Sequence, residues 1–209
     1  MIDSELGEIP EGWKIGPIKE VCSSISNGGT PSRMTQDYWN DGTIPWIKTG
    51  ELFDTVILDS EEKITDKGLK KSSTKLLPKN TIIMAIYAAP TVGRLGIIKI
   101  EATTNQACTA LIADNDKSSY LFIYYKLLFA RDYLNSVSNG AAQQNISKAI
   151  VEDLKIVIPP VEIIKDISII LESVWDTIEN NLRENSNLSK IRDSLLPRLM
   201  NGKIRVKIN

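Results

Sequence analysis

The triplet Glu61-Glu62-Lys63 has a nuclease-like Glu-x-Lys spacing, and Asp41 or Asp54 upstream could complete a magnesium site with it. In a chain with 26 acidic and 25 basic residues such triplets also arise by chance. Histidine is absent altogether. That removes imidazole general bases, the Ser-His-Asp and Cys-His triads, and any zinc or iron site built on imidazole. Two cysteines, Cys22 and Cys108, cannot form a metal cluster alone. The Ser, Thr and Tyr hydroxyls lack an evident base, so the residues argue against catalysis.

Nucleotide signatures are missing as well. The segment APTVGRLG lacks the Gly-Lys-Ser/Thr ending of a P-loop, and no G-x-G-x-x-G follows a strand. The Asn/Asp-Pro-Pro-aromatic tetrapeptide that holds a target base in amino-methyltransferases is not present; Pro159-Pro160 follows Ile158 instead. No cofactor and no metal are expected.

Charge is informative locally. The net charge of -1 excludes a uniformly basic nucleic-acid coat. Between Lys63 and Lys99, however, eight basic residues (Lys63, Lys67, Lys70, Lys71, Lys75, Lys79, Arg94 and Lys99) face one acid, Asp66. The preceding stretch carries Glu51, Asp54, Asp59, Glu61 and Glu62 with no base. One reading is a pair of solvated loops of opposite sign packed together. The other is a phosphate-tracking face, because lysine and arginine bind DNA by releasing its condensed counterions.

The elements that must position these groups fall into two parts, divided at Pro159-Pro160. Thr81–Tyr87, Leu95–Ile100 and Thr109–Ala113 are apolar, β-branched runs that predict strands, with Asn80, Gly93 and Asn115 as turn residues between them. Ser118-Ser119 caps a helix predicted from about Tyr120 to Val137, with Leu121, Tyr124, Tyr125, Leu128 and Leu134 inward. A polar loop at 138–147, a short helix near 148–153 and the strand LKIVIPP close the domain. With 42% hydrophobic residues the chain should fold. The expected architecture is an α/β (α+β) globular domain over 1–160, followed by a helical region over 161–209. The N-terminal segment has no apolar core for a signal peptide, and no run approaches the roughly 18 apolar residues of a membrane span. A cytoplasmic protein without membrane contact is expected.

From Val161 to about Leu196 neither Gly nor Pro occurs, and apolar residues recur at helical spacing. One heptad position takes Ile164, Leu171, Ile178, Asn185, Arg192 and Leu199. The other takes Ile167, Val174, Asn181, Leu188 and Leu195, with Leu182 and Ile191 one step off. Such a helix is about 50 Å long at roughly 1.5 Å per residue. It could dock on its own domain, or form a coiled-coil arm whose polar Asn181, Asn185 and Arg192 set register.

Taken together, eight segments resemble the DNA specificity (S) subunit of type I restriction–modification systems. They are LGEIPEGW (Leu6 to Trp13), GGTPS (Gly28 to Ser32), DGTIPWIKTGEL (Asp41 to Leu52), KLLPKNTIIM (Lys75 to Met84), PTVGRLGI (Pro90 to Ile97), TNQACTAL (Thr104 to Leu111), GAAQQNISKAIVEDLKIVIPP (Gly140 to Pro160) and SLLPRLMNGKIRV (Ser194 to Val206). Each is weak alone; their order and spacing are specific. One departure is the absence of the Gln often seen after the Pro-Pro pair.

The resemblance implies a target-recognition domain that reads a short half-site of double-stranded DNA and a conserved helix that pairs antiparallel in a coiled coil. It further implies docking of methyltransferase subunits, joined by a restriction subunit, and no chemistry by the chain itself. The usual family member has two recognition domains and two helices, whereas this sequence shows one of each. It resembles a half-length form, expected to homodimerise through the helix and to recognise an interrupted palindrome. The alternative is an interaction protein that pairs with a full-length specificity subunit to alter or inhibit it.

Base-reading residues do not follow from the likeness. The candidate DNA-binding residues are Thr30, Ser32 and Arg33 in a Gly-rich loop, Lys48 and Thr49 on a loop rim, Lys70, Lys71 and Lys75 as phosphate contacts, and Tyr87 and Arg94 flanking a turn. Gly28, Gly29 and Gly93 are expected to serve backbone geometry. The candidate partner-helix residues are Ile164, Ile167, Leu171, Val174, Ile178, Leu182, Leu188, Ile191 and Leu195.

Overall fold

The computed structural model describes residues 1–87, 91–138 and 145–204. In chain order these form β1 (Lys14–Pro17), β2 (Cys22–Asn27), β3 (Ile44–Ile47), β4 (Thr55–Ile57), β5 (Glu62–Ile64), α1 (Asp66–Lys70), β6 (Thr81–Ala85), β7 (Leu95–Ile98), β8 (Thr103–Thr104), β9 (Cys108–Ala113), α2 (Tyr120–Phe129), α3 (Arg131–Ser138), α4 (Lys148–Glu152), β10 (Lys155–Ile158) and α5 (Val161–Met200). The mixed α/β domain followed by a long helix is the expected class.

The main sheet has the order β2-β9-β6-β7-β4. Every residue of β6 and β7 is buried, which is why both read as unbroken apolar runs: each is covered on both faces. On one face lies α2, which buries Leu121, Ile123, Tyr124 and Leu127. On the other, Ile83, Ala85, Ile98, Cys108 and Ala110 join Ile47, Leu52, Leu77 and Ala102 in one core cluster. A second sheet, β5-β3-β8, contributes Ile47 to that cluster and carries the features described below. The third, β1-β10, pairs Lys14 with Ile158 antiparallel and so ties the entry segment to the strand that precedes Pro159-Pro160.

Local chemistry sets the boundaries. Asn80 (φ 63°) and Gly93 (φ 84°) both adopt the left-handed region at turns flanking β6 and β7. Thr65, Ser119 and Ser147 cap α1, α2 and α4, accepting from Gly68 N, Phe122 N and Ile150 N at 3.1, 3.1 and 3.2 Å. The helix expected from Tyr120 to Val137 is instead two helices. It breaks at Ala130 (φ -85°, ψ 0°), after which Arg131 forks onto Asp54 and Leu134 is buried. Leu127 rather than Leu128 fills the core.

The compact globular unit spans Met1–Ile169, nine residues past the boundary drawn at Pro160. It takes in the first turns of α5: Ile164 is buried, and Ser168 donates to the Ile164 carbonyl at 2.6 Å and shares a 2.5 Å hydrogen bond with Ser119. The second unit begins at Ile170. At 40 residues α5 is about 60 Å long. It runs one turn beyond Leu196, holding Pro197 near its end, where Asn201 N donates to the Pro197 carbonyl at 3.1 Å.

Candidate nucleic-acid interface

Two glycines give the Gly-rich loop its place. A Cβ on Gly28 would land on Thr104 Oγ1 and on the carbonyl oxygens of Thr104 and Asn105; one on Gly29 would meet Thr74 N at 2.6 Å. Neither has a positive φ, so close approach is what requires glycine here. Gly28 N donates to Cys108 O at 3.1 Å, Gly29 N to Thr104 O at 2.9 Å, and Asn105 N to Ile47 O at 3.0 Å. The segments GGTPS and TNQACTAL are therefore one packed unit. Thr30 Oγ1 hydrogen-bonds Gln106 Oε1 across it.

Beyond the glycines, the loop rests on tryptophan. Trp46 of β3 is 3% exposed and donates through Nε1 to the Gly29 carbonyl at 2.9 Å. Its ring meets Trp39 edge-on, with centroids 5.0 Å apart at 88°. Trp39 donates through Nε1 to Ser32 O at 3.1 Å. The Arg33 guanidinium carbon lies 3.6 Å from the Trp39 centroid and 4.8 Å from that of Trp46. In the β3–β5 register Trp46 faces Glu62, which accepts from Arg33 Nη1 through Oε2 and from Lys48 Nζ through Oε1, the latter at 2.9 Å. Lys48 Nζ also reaches Glu61 Oε2 at 3.0 Å. The Arg33 hydrogen bond, then that of Lys48, holds the Glu62 carboxyl below the usual range; the Glu62 bond in turn pushes the Lys48 ammonium up.

Every acid of the Glu51–Glu62 stretch has a partner. Glu51 accepts from Lys48 N and Glu61 N, both at 2.9 Å, and Asp59 pairs with Lys63 at 3.1 Å. Asp54 (φ 57°) accepts from both terminal nitrogens of Arg131 and from Leu95 N, while its carbonyl accepts from Tyr124 Oη at 2.8 Å. The geometry does not assemble the nuclease-like site: Asp54 binds Arg131, Glu61 binds Lys48, Lys63 binds Asp59, and neither Asp41 nor Asp54 groups with Glu61 and Glu62 among the described residues. Among the described residues no three His, Cys, Asp or Glu side chains are grouped to hold a metal. Burial pushes both cysteine thiols up to about 12, which leaves them unreactive near neutrality.

The basic stretch divides. Lys67 pairs with Asp37 at 2.6 Å and Lys99 donates to Tyr120 Oη at 3.2 Å. Lys70, Lys71 and Lys75 are exposed and form no ion pair among the described residues. Ser32 is exposed, and Tyr87 and Arg94 are half-buried, the Arg94 guanidinium lying 5.8 Å from the Phe53 ring centroid. Thr49 needs correction as a DNA contact: it is only 9% exposed, at the start of a 3-10 turn.

Ile164 likewise needs correction as a partner-facing residue, since it is 2% exposed inside its own unit. Leu171, Ile178 and Leu182 are half-buried, whereas Ile167, Val174, Leu188, Ile191 and Leu195 are exposed. In the first third of α5 the exposed large apolar residues are Ile163, Ile167, Ile169, Ile170 and Val174: Ile167 and Val174 lie on the second predicted row, whereas Ile163 and Ile170 each stand one residue before the predicted Ile164 and Leu171.

A family model described as the type I restriction modification DNA specificity domain matches residues 10–189, through both the globular unit and most of α5. The chain belongs to this family. Similar curated proteins include the type I restriction enzyme HindI specificity subunit of Haemophilus influenzae, 30% identical over 199 residues, covering 94% of this chain and 42% of the relative. Another is the EcoR124I/EcoR124II specificity subunit of Escherichia coli, 31% identical over 163 residues, with 75% and 39% covered. The solved HsdS subunit from Thermoanaerobacter tengcongensis shares the fold with a TM-score of 0.61 at 17% identity, covering 95% of this chain and 47% of that one. This chain thus spans less than half the length of the relatives it matches.

As a DNA specificity domain, the unit uses its family segments mainly as framework: glycines packed on backbone, a buried tryptophan, and a strand entering the Pro-Pro pair. Residues that the sequence did not single out are Trp39, Trp46 and Arg131, and Asp54 was read only as a possible metal ligand. Only the seven-residue spacing of the two tryptophans hints at a shared site. The part of GAAQQNIS at 140–144 and the tail beyond Ile204 lie outside the described residues.

Proposed function

We propose that this chain is the DNA-recognition component of a type I restriction–modification complex, reading a short half-site of double-stranded DNA and performing no chemistry itself. One observation carries the reading: the specificity-domain match extends through the recognition unit into the helix. The free lysines Lys70, Lys71 and Lys75 supply phosphate attraction without sequence information. Methyltransferase subunits, joined by a restriction subunit, are the partners that would modify or cut the recognised DNA. A solved neighbour at TM-score 0.63 comes from work on complex assembly and conformational transition of the type I R-M system, which supports such docking as a proposal for this chain.

A second copy is the proposed partner of α5. The exposed row of Ile163, Ile167, Ile170 and Val174 and the exposed Leu188, Ile191 and Leu195 follow a heptad seam. Asn181 falls at the midpoint of the helix, so antiparallel pairing would set it against its own copy and select that register. A twofold dimer carries two identical recognition units in inverted orientation.

The test is methylation mapping of DNA from cells expressing the 209-residue chain as the sole specificity component beside a methyltransferase subunit. The expected site is an interrupted palindrome, two inverted copies of one half-site. Two unrelated half-sites would overturn the homodimer, and sequence-independent modification would overturn the recognition role.

A further inference from the structure

We propose that Arg33 is the guanine-reading side chain of the recognition unit, with Trp39 and Glu62 as its positioning residues. The inference rests on the DNA-recognition reading above. The globular unit contains only three arginines, Arg33, Arg94 and Arg131. Arg131 is spent: both terminal nitrogens bind Asp54 and its side chain is 25% exposed. Arg94 is held by no carboxylate among the described residues and sits near the outer limit of a cation–π contact with Phe53, itself 66% exposed. Arg33 differs from both. Its guanidinium lies on the Trp39 face, and only Nη1 is used, by Glu62. Among the described residues the other guanidinium N–H groups have no hydrogen-bond partner, and the side chain is 50% exposed.

That arrangement suits a base rather than a phosphate. Guanine presents O6 and N7 as adjacent acceptors in the major groove, and a guanidinium meets both at once through one edge of its fork. A side chain already fixed by stacking and one carboxylate loses little freedom on making that contact. The support is itself rigid: Glu62 faces the buried Trp46 across β3–β5, and Lys48 holds the second Glu62 oxygen. Arg33, Lys48, Glu61 and Glu62 carry two positive and two negative charges, so the cluster as a whole has no excess charge to draw phosphate. Lys48 is accordingly a support of Glu62 in this arrangement. The exposed lysines supply the phosphate attraction separately.

The experiment uses the complex of the 209-residue chain with a methyltransferase subunit, competing the cognate duplex against its single-base variants and random DNA. Arg33→Ala should lower the preference for guanine at one half-site position about ten- to a hundred-fold, and Arg33→Lys by a smaller factor, with binding to random DNA changed less than about twofold by either. Lysine keeps the charge without the fork, so it also tests the idea if the alanine variant fails to fold. Replacing that guanine with 7-deazaguanine should weaken wild-type binding and leave the Arg33→Ala complex unaffected. Glu62→Gln should soften the same preference in the wild-type background and have no effect on it in the Arg33→Ala background, as a positioning residue must. Arg94→Ala should leave the guanine preference intact. Equal losses on all DNAs for both Arg33 variants would make Arg33 a phosphate contact and overturn the inference alone. An unchanged preference would do the same. A wild-type complex with no sequence preference would instead bring down the recognition reading itself.

Discussion

The proposed helix seam can be tested at the exposed apolar side chains of α5. Ile167 and Ile170 are 50% and 68% exposed, so a partner helix can cover about half to two-thirds of each side chain. Full burial of an isoleucine is worth about 1.5–3 kcal/mol, which leaves on the order of 1–2 kcal/mol for each of these. A twofold dimer buries two copies of both residues, so the double variant Ile167→Asp/Ile170→Asp should forfeit at least about 4 kcal/mol, roughly a thousand-fold in dimer dissociation constant. The charges of the new carboxylates add to that loss. Sedimentation equilibrium should show a wild-type dimer and a variant monomer, with unchanged thermal unfolding of the globular unit. A wild-type monomer at tens of micromolar, or a double variant that sediments as the wild type does, would refute the reasoning.

Two further outcomes follow from the recognition unit. Gly28→Ala places a methyl group on the Thr104 and Asn105 carbonyl oxygens and should cost about 3 kcal/mol or more in urea unfolding, whereas Gly50→Ala, with nothing within 4 Å, should stay within about 0.5 kcal/mol. Glu62, held below its ordinary range chiefly by Arg33, contributes stability that is fully present above the unfolded glutamate value of about 4.3 and is lost as pH falls through its folded value. The stability gap between wild type and Glu62→Gln, measured by denaturant titration, should therefore narrow on acidification; a gap that stays constant with pH would show that the ion pairs do not carry it.

How much of this was legible beforehand depends on the range of the interactions involved. Periodicity and capping are local, so the runs at 81–85, 95–98 and 108–113, the Ser119 cap and the long helix could all be read from consecutive residues. The helix break at Ala130 could not: it is accompanied by a fork from Arg131 to Asp54, a residue 77 positions away. That Ile163 and Ile170 are exposed in place of Ile164 and Leu171 was equally hidden, because two neighbouring apolar rows on one helix look alike until burial distinguishes Ile164 from Ile163. Segment order alone was enough to place the chain in its family, since ordered motifs survive when the intervening loops diverge. Charge along the chain described composition but not pairing. Only tertiary structure decided that Lys48 is tied to Glu61 and Glu62 while Lys70, Lys71 and Lys75 form no ion pair among the described residues, since ion pairing depends on distances of a few ångströms that strand register sets. The same holds for Arg33. Its sequence neighbours mark a turn, and the ring beneath it and the carboxylate beside it come from residues 6 and 29 positions along the chain, joined by the fold.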